Sequence, residues 1–519
     1  MNTTQASLTT GHPVEHLDVL IVGAGLSGIG CACHLQRQLP QKRFAILEGR
    51  AAIGGTWDLF RYPGIRSDTD LYTFGFEFKP WTGDNVIGSG AEIIGYLNDT
   101  IQEHRLEEKI RLNHRVARAS WSTPDERWLL EIEHADTTER STISCDWLYL
   151  GTGYYRYDHG YMPELPGLEN FQGTVVHPQQ WPEDLDYAGK RVVVVGSGAT
   201  AVTLIPAMAP DTGHITMLQR SPSYILPIPG ADPMINRLRR LAGAKVAHRA
   251  ARLKYMAAMD GIYNFCQKFP RTARRVIHAL NARQLPPGYP VDVDFKPRYD
   301  PWDQRLCVVP DGDLFQAIRA GRASVATGEI ETFTPTGVKL TSGRELQAEI
   351  VITATGLELS LFGEITLVVD GQEVSQPDTV AFKGLMLSGV PNMAFAIGYT
   401  NRSWALKVDL VAQHLCRLIA HMDARGHTIC VPEYPQSSGP TAPLLDLEAG
   451  YVQRSLDKLP RAGAGAPWNL SMSHLVNRRQ LRKQPLEDPN LRFMSGAGPA
   501  RPAPEPDASD ETPIAVSVG

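Results

Sequence analysis

The sequence predicts an α/β protein containing two units of one kind, each a buried strand, a glycine turn and a helix. Three observations carry this expectation. Short apolar runs ending in glycine stand at His16–Gly23 and Lys190–Gly196, and each leads at once into helical periodicity. At 519 residues the chain is too long for one ordinary core and suggests roughly three structural units of about 150 residues. With 43% hydrophobic and 21% charged residues, composition excludes wholesale disorder and a fibrous protein. A formal net charge of −5 gives no electrostatic reason to expect nucleic acid as a partner, which leaves small molecules as the default. Seven cysteines, an odd number without regular spacing, argue against a disulfide framework and fit a reducing compartment. Met1–Pro13 lacks the basic start and apolar stretch of a signal peptide. No apolar run approaches the roughly 20 residues that span a bilayer, so a soluble, cytoplasmic protein is expected.

Taken in order, HLDVLIVG (16–23) reads as a strand, Leu26–Leu39 as a helix and Arg43–Leu47 as a second strand ending at Glu48. Val116–Gly153 changes to short alternating strands closed by SCDWLYLGTG. Lys190–Gly196 opens the second strand, turn and helix, which ends in the strand His214–Gln219. Asp232–Arg283 is helical in pattern and carries about a dozen Lys and Arg against two Asp, so it reads as a basic helical insertion. After Phe333–Gly337 strand-like alternation resumes, AEIVITATG (348–356) repeats the strand-plus-glycine pattern, and a long helix is expected from Ser403 to about His421. The Pro-, Ala- and acid-rich stretch 496–519 can bury little surface and is expected to be a disordered tail.

The glycine turns carry the chemistry. Gly23, Gly25 and Gly28 form GAGLSG between a strand and a helix. The first glycine permits the tight turn, the second lets the backbone approach a pyrophosphate, and the third lets helix pack on strand. Glu48 stands where a carboxylate accepts hydrogen bonds from ribose hydroxyls. Gly196, Gly198 and Ala201 form the variant GSGATA with alanine in third place. Both units are therefore expected to be Rossmann-like dinucleotide folds. The residues after the second strand differ: Glu48 in the first unit, Arg220 and Ser221 in the second. A carboxylate repels a 2′-phosphate, whereas a guanidinium and a hydroxyl bind it, so the second unit is expected to take NADPH. The other site then needs a hydride acceptor, and flavin fits. Gly54, Gly55, Thr56 and Trp57 follow the second strand, where bare backbone and a flat ring can lie against a flavin.

Between the two units lies Phe171-Gln-Gly-Thr-Val-Val-His177-Pro-Gln-Gln-Trp181-Pro182. It matches in full the FxGxxxHxxxWP fingerprint of Baeyer-Villiger monooxygenases, the FAD- and NADPH-dependent class B flavoproteins. The likeness extends from about Val19 to about Arg479. GGTWDLFRYPGIRSD and PRYDPWDQRLCVVPDGDLF look most like the ethionamide-activating branch. The resemblance implies an FAD domain split by an NADPH domain. After a flexible 1–15, the first FAD part is 16–155, the NADPH domain 156–345 with the insertion at about 231–285, and the second FAD part 346–495. AEIVITATG would bring the chain back to the first unit. The implied activity is NADPH- and O2-dependent insertion of one oxygen atom beside a ketone carbonyl, through a C4a-peroxyflavin, to give an ester or lactone, with sulfoxidation also open. N- or S-oxygenating flavin monooxygenases, which usually end the fingerprint with another aromatic residue, are the alternative. A redox-sensing nucleotide-binding protein is the non-enzyme alternative.

The resemblance also assigns roles. Arg305, in DQRLC, matches the family's catalytic arginine, a cation that keeps the peroxide deprotonated and meets the oxyanion formed at the carbonyl. Asp68, in IRSD, matches its acidic partner, and both lie at the flavin. Gln304 departs from the lysine found before the arginine in many relatives. His177 matches a catalytically supporting histidine at the domain junction, and Trp181 of the fingerprint is expected beside the cofactor. Asn401–Trp404 precede the long helix and could aim its N-terminus at the flavin, with Trp404 either lining the pocket or packed in the core. Cys31 and Cys33 lie on different faces of the first helix and form no redox pair. No His, Cys and carboxylate cluster has zinc or iron spacing, and no metal is expected. The basic insertion could touch anionic lipid weakly, but a solvated face covering the NADPH domain is the expected reading. Oligomeric state has no signature in the sequence.

Overall fold

The structure, a computed structural model, describes residues 14–435, 439–445 and 447–495. Most of the expected flexible start and the whole expected tail lie outside the described residues. The architecture is α/β, as expected, and contains two large sheets. In the first, Glu15–Val22 is flanked in parallel by Phe44–Leu47 and Arg140–Leu150, with Val22 opposite both Leu47 and Leu150. His114–Ser122, Arg127–His134 and Arg140–Leu150 form the antiparallel meander that the alternating segment predicts. The helix Leu26–Gln38 crosses one face and packs against the long helix Ala405–Arg425.

The second sheet is five-stranded and parallel, in the order Ala323–Thr327, His214–Gln219, Arg191–Val195, Ile350–Thr353, Thr174–Val176. The helix Ala199–Met208 follows Arg191–Val195. Central strands read VVVV and IVIT, with no buried/exposed alternation, because both faces are covered.

Two expectations need correction. The strand of AEIVITATG does not return the chain to the first sheet: Ile350–Thr353 lies inside the second, between Arg191–Val195 and Thr174–Val176. The chain rejoins the first sheet only at Thr366–Val369 and Met393–Phe395. A short run buried on both faces satisfies either sheet equally, so its pattern carries no address. The insertion, Pro233–Ala242, Ala244–Lys268 and Pro270–Gln284, does not simply cover the second unit. Ile235, Ala247 and Ala251 join the first unit's core, and Arg252 donates to the carbonyls of Tyr72 and Gly75 at 3.2 and 2.7 Å. Its third helix turns to the second unit, where Ile277 meets Tyr224 and Leu306, joined by Tyr263 at the end of the long insertion helix, whose ring packs on Trp302. Small residues at 247 and 251 let the long insertion helix approach closely enough for this docking.

Candidate active site

Both glycine turns have the same backbone logic. Gly23 has φ +100°, and a Cβ there would sit 2.7 Å from the carbonyl oxygen of Gly151 on the neighbouring strand. Gly196 has φ +134°, and its Cβ would sit 2.3 Å from the carbonyl oxygen of Ala354. A side chain at either place would push the adjacent strand away. Behind the first turn, a Cβ on Gly28 would lie 1.8 Å from the Gly23 oxygen, so the helix touches the loop backbone directly. The two helices start at Leu26 and Ala199, and Gly25, Leu26, Gly198 and Ala199 line one cavity of about 960 Å³. That volume lies at the upper end of the roughly 300–1,000 Å³ of small-molecule sites. Two helix N-termini thus open into a single space, each suited to phosphate oxygens.

Arg305 and Asp68 meet in this cavity, Nη2 to Oδ2 at 2.8 Å. Burial opposes the guanidinium's charge, but Asp68 and the surrounding Tyr154, Tyr451 and Tyr155 together outweigh it, and Arg305 is held above its ordinary pKa. It is a permanent cation. Around the pair stands an aromatic wall: Tyr154, Tyr155, Trp404 and Tyr451. Tyr154 lies parallel to Trp404 with ring centroids 4.9 Å apart, and its hydroxyl is 2.8 Å from that of Tyr155. Burial raises both phenols well above their ordinary range, so both remain protonated. Trp404 Nε1 donates to Ser27 Oγ at 3.0 Å, tying the start of the long helix to the first glycine turn. Arg402, also in the wall, pairs with Asp260 of the insertion.

The cavity wall includes Gly25, Gly55, Thr56, Trp57, Asp68, Gly196, Gly198, Arg220, Ser221 and Arg305. Arg220 is exposed and has no ion pair among the described residues. Gly23, Gly28 and Ala201 stand behind the turns. Glu48, expected at a ribose, is 4% exposed, and its oxygens accept from the backbone N–H groups of Ala24 at 2.8 Å and Arg50 at 3.0 Å. Burial raises its carboxyl, opposed by those two amides. Its present role is to brace the first turn from behind.

The two fingerprint residues stand off the main cavity wall. His177 lines a small cleft that adjoins the main cavity and shares Phe60, Tyr62 and Gly356 with it. Its Nδ1 accepts from the Gln179 N–H at 3.2 Å, its Nε2 has no close hydrogen-bond partner among the described residues, and burial lowers its pKa, opposed by the Gly356 backbone. Trp181, expected at the cofactor, is half-buried against the second unit's core. Both serve the packing between the chain leaving the first sheet and the second turn. The sequence reading missed Tyr154, Tyr155 and Tyr451, whereas Arg402 falls within the Asn401–Trp404 stretch it singled out. The tyrosine pair had a usable signal: it follows immediately on a central parallel strand, at the strand end where ligands bind in α/β sheets. Tyr451 had none.

Two helix-opening glycine turns that empty into one cavity beside a fixed cation define a two-dinucleotide oxidoreductase. A family model described as pyridine nucleotide-disulphide oxidoreductase matches residues 20–226. The matched stretch holds Cys31, Cys33 and Cys145, all buried and free, so the likeness is one of dinucleotide fold without the disulfide chemistry. The FAD-containing monooxygenase EthA of Mycobacterium tuberculosis H37Rv is 51% identical over 492 residues, covering 94% of this chain and 99% of its own. A probable FAD-binding monooxygenase, AlmA, of an Acinetobacter species is 47% identical over 482 residues, covering 92% and 96%. An oxidised steroid monooxygenase bound to NADP has the same fold, with a TM-score of 0.72 at 19% identity, covering 93% of this chain and 100% of that one. The chain belongs to the EthA-type family of FAD-containing monooxygenases.

Proposed function

We propose that the protein uses NADPH and O2 to insert one oxygen atom next to a ketone carbonyl, giving an ester or lactone. The observation that carries this is the Arg305–Asp68 pair standing in the cavity shared by the two glycine turns. The residues present fit FAD at the first turn, where Gly25 and Gly55 leave bare backbone on the cavity and Glu48 holds the loop in shape. They fit NADPH at the second, where Gly198 has open space and unpaired Arg220 with Ser221 faces the cavity as a seat for a 2′-phosphate. Bound FAD supplies the two-electron exchange with NADPH and the activation of O2.

The chain's own part is electrostatic and steric. Arg305 presents a fixed positive charge where an oxyanion forms on an attacked carbonyl, an effect that removal of one comparable donor sets at about 100- to 1,000-fold. Asp68 orients that guanidinium and leaves its remaining N–H groups for the cavity. Tyr154, Tyr155, Trp404 and Tyr451 exclude water around the reacting carbon and give an apolar wall for a ketone substrate. His177 acts on the seam between the two units, by position and not as a base.

The test is product analysis with purified, flavin-loaded protein: ketone-stimulated NADPH consumption with an ester product. Arg305→Ala should retain flavin bleaching by NADPH within about twofold while ester formation drops about 100-fold or more. Normal ester yield from that variant removes Arg305 from the reaction, and product found only on sulfur or nitrogen replaces the carbonyl reading with N- or S-oxygenation.

A further inference from the structure

The insertion carries a surface that the chemistry of the cavity does not use. Leu241 is 76% exposed, Leu253 66%, Met234 61%, Phe269 57% and Val246 49%. Seven of the fourteen exposed large hydrophobic residues among the described residues fall between Met234 and Val276. Single exposed apolar residues are ordinary, but this concentration marks a contact surface. On the helix Ala244–Lys268, Val246 and Leu253 stand two turns apart on the face opposite Ala251 and Tyr255, which pack inward. At the corner with the next helix, the rings of Phe265 and Phe269 lie 6.0 Å apart, both exposed.

The cations of the insertion divide the same way. Arg239 and Arg252, largely buried, and Lys254, partly exposed, pair with Asp84, Asp409 and Asp232. Arg237, Arg240, Lys245, Arg249, Lys268 and Arg271 make no ion pair among the described residues, and they are interleaved with the exposed apolar side chains: Lys245 beside Val246, Lys268 beside Phe269. The insertion of a chain with a net charge of −5 thus carries an exposed surface that is strongly basic and studded with apolar side chains. No helix of the described residues is long and apolar enough to cross a membrane, which excludes a helical span but not contact with a bilayer surface.

We propose that this face docks the protein on an anionic lipid bilayer, with the leucine and phenylalanine side chains entering the headgroup region and the arginines and lysines meeting lipid phosphates. Amphipathic helices that combine apolar residues with a cationic rim bind such surfaces by both terms together. A second copy of the chain fits less well, since a two-fold interface built on this face sets its unpaired cations against themselves. The docked face connects to the cavity through one helix: Asp260, on Ala244–Lys268, holds Arg402 in the cavity wall.

Co-sedimentation of the full, flavin-loaded chain with vesicles decides the matter. Vesicles of phosphatidylglycerol and phosphatidylcholine should bind at least about tenfold more tightly than phosphatidylcholine alone, and the difference should shrink as salt rises from low to about 0.5 M. The variants Leu253→Ser/Phe265→Ser/Phe269→Ser and Arg249→Glu/Lys268→Glu/Arg271→Glu should each weaken binding about tenfold or more while flavin content and melting temperature stay those of the parent. Equal binding to both vesicle types at low salt, or no binding, overturns the proposal. So does self-association by light scattering that the same variants abolish while vesicles are ignored. The vesicle comparison uses the unaltered chain and stands even where a variant misfolds.

Discussion

The two glycine turns share a backbone plan and differ in what surrounds it. Behind the first, Gly28 lets the helix touch the loop, and buried Glu48 fastens the loop from the other side. At the second, Ala201 occupies the place of the third glycine, fully buried and without strain, and exposed Arg220 faces the cavity. One turn is braced by a buried carboxylate; the other presents an exposed cation to the cavity. The contrast teaches that one glycine pattern can carry different residues just after the second strand: a buried carboxylate that braces the loop in one unit, and an exposed guanidinium on the cavity in the other.

The strongest way to break the comparison is at the third position. Gly28→Ala places a methyl 1.8 Å from the Gly23 oxygen and should leave the protein without flavin colour, whereas the second turn already carries alanine there. Flavin absorbance per mole of purified chain checks this, and a yellow variant of normal stability refutes the packing argument. Arg220→Ala should raise the NADPH KM about 10- to 150-fold, the loss of one charged hydrogen bond at about 1.5–3 kcal/mol, with NADH nearly unaffected. Equal losses for both nucleotides would make Arg220 a general and not a selective contact. Glu48→Gln keeps one acceptor oxygen of two and should weaken flavin binding by roughly tenfold, measured by flavin release on dilution.

Acid sharpens the contrast further. Burial lowers His248 and His474 to about 4 and His414 to about 3, and all three pack in the first unit or on the insertion docked to it. Folded values below the unfolded one of about 6.5 mean that the unfolded chain binds more protons between pH 6.5 and 4. Their stabilising contribution is therefore complete above pH 6.5 and fades as pH falls, by at most about 1.4 kcal/mol per pH unit for each histidine. Melting temperature followed by flavin fluorescence should drop across that window, and His414→Gln should flatten the slope. A flat profile from pH 6.5 to 4.5 would mean that these histidines titrate alike in the folded and unfolded chain, so that their burial does not lower them.

Much of the fold was legible because it is written locally. Apolar runs ending in glycine, a period of 3.6 after each, and a basic helical stretch identify strands, turns and insertion without tertiary knowledge. The meeting of Arg305 with Asp68 was legible only through the family likeness, since 237 residues separate them in the chain. What stayed hidden depends on address. Ile350–Thr353 reads the same in either sheet, so its place between Arg191–Val195 and Thr174–Val176 could not be seen. The insertion's inward face rests on Ala247 and Ala251, small residues whose value appears only once a partner surface approaches. His177 and Trp181 belong to a motif that signals the family while standing outside the cavity wall.

The hydrogen bond from Trp404 to Ser27 joins the first residues of two helices that are 377 positions apart. Those helices converge on the cavity from opposite ends of the chain. A nascent polypeptide therefore cannot make this joint until nearly four-fifths of it has been made, nor finish the pocket before Tyr451, and ligand capture comes late in folding, as a seal on assembly instead of a nucleus for it.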